Sequence, residues 1–140
     1  MKWNQIIPQL YQVPFKYGGY TLAGMDCVGI VYYYCQQLGK PFPDDFFGTW
    51  DGHTIENYGV WEKNTIEQNN ALLKGFMEQF GSAVPVKEII AGDVLLVEIK
   101  GQCAFAIYIG NGHIVSVGVG HKVSALSLNS EVRPIMARRL

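Results

Sequence analysis

The chain has 140 residues, a formal net charge of −1, and 49% hydrophobic against 16% charged residues. That length suits one domain with one core, expected to span residues 1–140, and the apolar content excludes a disordered chain. No basic excess exists to hold a phosphate backbone, so a nucleic-acid partner is not expected, and no segment approaches the roughly 18 uninterrupted apolar residues of a membrane helix.

Trp3 to Val13 predicts a short helix with Ile6, Ile7 and Leu10 on one side, its regularity limited by Pro8 and Pro14. The start lacks the apolar stretch of a signal peptide, so cytoplasmic synthesis is expected, with later incorporation into an exported particle left open. Tyr17 to Gly24 reads as a glycine-rich loop. Asp26 is the N-cap of a helix running to about Leu38, and Gly39 is its stop. Its first turns, Val28 to Cys35, are apolar nearly all round, which predicts burial on most faces. Within it, the Tyr32-Tyr33-Tyr34 run reads as helix packing.

Pro41 to Trp61 is irregular and aromatic, the composition of a binding surface or a lid. Asn64 then opens another helix, with Glu67 as its capping-box partner and Leu72, Leu73, Phe76, Met77 and Phe80 as its buried stripe; Gly81 ends it. The second half alternates at period two. Strands are predicted at Asp93–Glu98, Cys103–Ile109, His113–Val117, Lys122–Leu126 and Val132–Arg138, with Asn111-Gly112 as a type I′ hairpin turn. Helices followed by an antiparallel meander make an α+β fold, with the Cys27 helix packed on a small sheet or half-barrel. The terminal arginines, Arg133, Arg138 and Arg139, read as a solubilised strand edge.

The three cysteines fit neither a disulfide framework nor a zinc site, and no metal or cofactor is expected. Cys35 and Cys103 read as core. Cys27 differs, because it opens a helix after a glycine-rich approach, where the helix N-terminus favours a thiolate. Asp26 beside it works in the opposite direction.

In order and spacing, the motifs Tyr17-Gly18-Gly19, Asp26-Cys27-Val28-Gly29, Ala91-Gly92-Asp93-Val94 and Ala104-Phe105-Ala106-Ile107-Tyr108-Ile109-Gly110-Asn111-Gly112, followed by Ile114-Val115-Ser116-Val117 and Ala137-Arg138-Arg139, resemble the NlpC-type cell-wall cysteine peptidases, which are papain-like. The short length and the Asp-Cys-Val-Gly form are most similar to versions from phage tail-tip and prophage modules. The resemblance implies N-terminal helices on a C-terminal antiparallel sheet and attack by cysteine on an amide of a peptidoglycan stem peptide. It implies Cys27 as nucleophile and Tyr17 near the developing oxyanion. The base histidine falls at Ala104 and the residue that orients it at Ser116. Asp26, Tyr108 and His53 are further candidates for lining a ligand site.

The base is therefore absent from its expected place. His113 should point away from the Ser116 face, because side chains alternate along a strand. His53 and His121 are the histidines a fold could bring to Cys27. Losing a general base costs about 10²- to 10⁴-fold in rate. The expectation is a degenerate site with a binding or structural role, its partner a peptidoglycan peptide or a protein in a phage-like assembly. The alternative is an active cysteine hydrolase with His53 or His121 recruited. A third reading is an acyltransferase of the same fold.

Overall fold

The structure, a computed structural model, describes residues 1–42, 65–79 and 81–140. His53, Phe80 and nearly all of the aromatic Pro41–Trp61 stretch lie outside the described residues.

Helix α1 spans Trp3–Leu10 and buries Ile6, Ile7 and Leu10, the stripe its spacing predicts. Helix α2 spans Cys27–Leu38. Asp26 has extended backbone and its Oδ1 accepts the Gly29 N–H at 2.7 Å, while Gly39 closes the helix in the left-handed region at φ 71°. Six of its residues, from Val28 to Cys35, are buried. The stretch between the two helices, read above as a loop, contains a small hairpin, β1 (Tyr20–Thr21) and β2 (Gly24–Met25). Two-residue strands carry no alternation from which to read them.

Helix α3 spans Ile66–Met77. Its capping box is one residue later than expected: Thr65 accepts from the Gln68 N–H at 3.1 Å, and the Gln68 side chain accepts from the Thr65 N–H at 2.8 Å. Asn64/Glu67 and Thr65/Gln68 both satisfy the pattern, so sequence alone cannot separate them. Leu73, Phe76 and Met77 are buried and Leu72 only half-buried. The helix stops at Met77, short of Gly81. There the Arg138 guanidinium donates to the carbonyls of Met77 (2.5 Å) and Glu78 (2.8 Å).

The main sheet is antiparallel, in the order β3-β8-β4-β5-β6-β7. Its strands are β3 (Ser82–Ala83), β4 (Val94–Ile99), β5 (Gln102–Gly110), β6 (His113–Ser116), β7 (Ser124–Ser127) and β8 (Val132–Arg139). Alternation gives the sheet two apolar faces. Leu96, Cys103, Phe105, Ile107 and Val115 pack in the main core with the helices. Leu95, Val97, Ala106, Ile114 and Ala137 form a second cluster. The expected turn is present, with φ 53° at Asn111 and 74° at Gly112. The arginines do more than solubilise an edge. Arg133 pairs with Glu98 at 2.6 Å, and Arg139 grips the buried Asp93 through two bonds of 2.9 Å, tying the end of β8 to the start of β4.

One detail of the sheet opens the site. β5 pairs with β4 from Gln102 to Ile107, but with β6 only from Ile107 onward. On that side the first half of β5 has no strand neighbour among the described residues.

Candidate active-site groove

The end of α2 is held by backbone contacts. Asp26 is 8% exposed, and its two carboxylate oxygens accept the N–H groups of Gly18 and Gly29, each at 2.7 Å. One side chain thus joins the glycine loop to the first helical turn. The loop lies so close that a Cβ on Gly29 would fall 1.7 Å from the Gly19 carbonyl oxygen. The Tyr-Gly-Gly and Asp-Cys-Val-Gly motifs are two halves of one joint. Burial pushes the Asp26 carboxyl up to about 6, against the pull of the N–H groups of Gly29 and Gly18.

Cys27, half-buried, is the first residue of α2. Its thiol is pushed up to about 12, first by desolvation and then by the negative charge of Asp26. Hydrogen bonding from the backbone at Phe105 opposes this, as does the backbone at Cys27 and Val28. Burial and the neighbouring carboxylate outweigh the helix N-terminus, contrary to the expectation of a favoured thiolate. No imidazole of the described residues is among the groups that set this thiol.

Phe105 links the rest of the site. Its N–H side meets Cys27, and its carbonyl accepts the Ser116 hydroxyl at 2.7 Å. Ser116 is buried, at 4% exposure, so its hydroxyl closes the β5 edge where the β6 ladder ends. Further along that edge, Asn70 of α3 imitates a neighbouring strand. Its Nδ2 donates to the Gly101 carbonyl at 2.9 Å and its Oδ1 accepts the Cys103 N–H at 2.8 Å.

A groove of about 970 Å³ runs along this edge, and Tyr17, Cys27, Ala104 and Ser116 all line it. Tyr17 is half-buried and packs edge-on against Phe15, ring centroids 4.8 Å apart. Ala104 is half-buried one residue before Phe105 and also touches the second apolar cluster. Tyr108 does not line the groove. It packs on the second cluster, and its hydroxyl accepts the Gly112 N–H at 3.0 Å, bracing the hairpin turn. Asp26 borders the groove, although both its oxygens are engaged by backbone. His121 is exposed and lines the groove, whereas His113 does not. Cys35 is fully buried. Cys103 is core and also borders the groove. Lys100 and Lys122, not singled out in the sequence, line it as well. Among the described residues, no three His, Cys, Asp or Glu side chains stand together to hold a metal ion.

The model of the NlpC/P60 family matches residues 12–136. The chain belongs to the NlpC/P60 family. Among solved structures, the NlpC/p60 domain of the peptidoglycan hydrolase SagA is similar at 21% identity and TM-score 0.63, with both chains fully covered. An NlpC/P60 family protein from Bacillus cereus ATCC 10987 is similar at 20% identity and TM-score 0.66 over 99% of this chain and 40% of its own. RipD from Mycobacterium tuberculosis, described as a non-catalytic NlpC/p60 domain protein adapted to peptidoglycan binding, is similar at 16% identity and TM-score 0.61 over 100% of this chain and 98% of its own. At these identities the likeness carries the fold alone. No curated protein sequence matches. The NlpC/P60 fold thus has the expected α+β layout, and no helix among the described residues is long and apolar enough to cross a membrane.

Proposed function

We propose that this NlpC/P60 domain binds a cell-wall peptide in the groove without cleaving it, as a component of an assembly such as a phage tail tip. The observation that carries this reading is the surroundings of Cys27: an alanine occupies the position on the groove where the family resemblance puts the base, and burial and the neighbouring Asp26 push the thiol up. A neutral thiol is a weak nucleophile, and nothing at Ala104 can take its proton. Ser116, at the orienting position, has its hydroxyl turned to the Phe105 carbonyl. RipD supports the reading as a similar fold whose described role is peptidoglycan binding without catalysis. Purified peptidoglycan tests it. The protein should sediment with the polymer and release no new amines over hours, and Cys27→Ala should sediment equally. Amine release that Cys27→Ala abolishes would contradict it.

A second reading is an active hydrolase with His121 as the recruited base. The placement of His121 on the same groove as Cys27 favours it. It requires that His121→Ala and Cys27→Ala abolish the same amine release.

A further inference from the structure

The groove has an uneven charge. Among the described residues, the only acidic residue lining it is Asp26, which is buried with both carboxylate oxygens bound to backbone N–H groups. The other Asp, Glu, Lys or Arg residues among the described lining are Lys100 and Lys122, both exposed. Among the described residues neither lysine has an ion-pair partner, although the chain as a whole carries net charge −1. They stand on different segments of the chain. Lys100 is in the β4–β5 turn, and Lys122 lies on the segment bridged to Pro14 ahead of β7.

Lys100 also sits where a lysine is an uncommon choice. The β4–β5 turn has φ 52° at Lys100 and 81° at Gly101, nearly the same pair as Asn111 and Gly112 (53° and 74°) in the β5–β6 turn. Such turns favour Asn-Gly, because asparagine tolerates the left-handed region better than longer side chains. The turn away from the groove has the favoured pair. The turn on the groove has lysine in place of asparagine. A residue standing against local backbone preference points to a use for its side chain.

From this charge and this turn we infer that Lys100 and Lys122 select a peptide with free carboxylates, one held at each lysine, over the same peptide with its carboxylates amidated. The inference rests on the groove binding a cell-wall peptide, as proposed above. An ammonium group meeting a carboxylate forms a charge-assisted hydrogen bond, which an amide cannot match. Because both lysines are exposed, salt screens the preference.

The experiment uses the full chain and soluble, fluorescently labelled peptidoglycan fragments, either with free carboxylates or after carbodiimide amidation. Lys100→Asn installs the turn's preferred residue, so the fold is retained. Lys122→Gln removes the second charge, and Lys87→Gln, at a residue off the groove, is the control. Each groove variant should weaken binding of the free-carboxylate fragments about three- to tenfold, and the double variant more. Amidation should weaken wild-type binding comparably and make it indifferent to both substitutions. Raising salt from about 0.05 to 0.2 M should erode the difference. Equal binding of free and amidated fragments, unchanged in the lysine variants, would overturn the carboxylate assignment and leave the groove reading standing. Binding of neither form would remove the groove reading and this inference with it.

Discussion

The two walls of the groove are built differently. On the α2 side, the position of Cys27 is fixed by backbone: Asp26 bridges Gly18 and Gly29, and Gly19 touches Gly29. On the β5 side, the edge is closed by side chains, with Asn70 on Cys103, Ser116 on Phe105 and only a methyl group at Ala104. The position of Cys27 does not depend on Ala104 across the groove. Glycine packing and a helix cap hold the start of α2 in place through contacts in which the β5 side takes no part.

That contrast can be broken most severely at Gly29. In Gly29→Ala the new Cβ meets a backbone carbonyl that cannot move aside, so a loss of about 3 kcal/mol or more is expected, enough to endanger the fold. Urea unfolding reads it, and a loss below about 1 kcal/mol would mean that the joint is loose. On the opposite wall, Ala104→His should leave stability nearly unchanged while raising the alkylation rate of Cys27 at pH 7 about a hundredfold, the low end of what a positioned base supplies. No change in rate would show that position 104 does not address the sulfur.

Asp26 gives a smaller, pH-dependent effect. Its carboxyl titrates near 6 in the fold against an ordinary value of 3.8, so between these values the folded state holds more proton than the unfolded. This group's contribution to stability is greatest below pH 4, falls as pH rises, and levels off above 6, a span of about 2–3 kcal/mol. Unfolding midpoints should show that slope in the wild type and lose it in Asp26→Asn. The same variant should speed Cys27 alkylation, because a negative charge beside the thiol is gone. The smallest effect is expected of Ser116→Ala, about 1 kcal/mol for the stranded Phe105 carbonyl, with Cys27 alkylation unaltered.

What could be read from the sequence was local. Asp26 and Gly39 bracket α2 because a cap and a left-handed glycine are properties of a few consecutive residues. Asn111-Gly112 fixes its turn for the same reason, and period-two alternation located the five longer strands. The order of the motifs placed Cys27, Ala104 and Ser116 along one groove. The rest depends on distant partners. Asn70 imitates a strand for residues more than thirty positions away, and Arg138 caps α3 from sixty positions away. Tyr108 shares its strand parity with Ala104, yet the hairpin claims its hydroxyl, a contact that parity does not reveal. The burial that keeps Cys27 neutral is likewise a property of the packed joint.

The most direct test is the pH profile of Cys27 alkylation, followed residue by residue with mass spectrometry so that Cys35 and Cys103 are counted separately. With the thiol held near 12, labelling of Cys27 should be slow at pH 6 and still rising at pH 9. A fast plateau already reached at pH 6 would mean a thiolate paired with a base, and the account of an unactivated cysteine would be wrong.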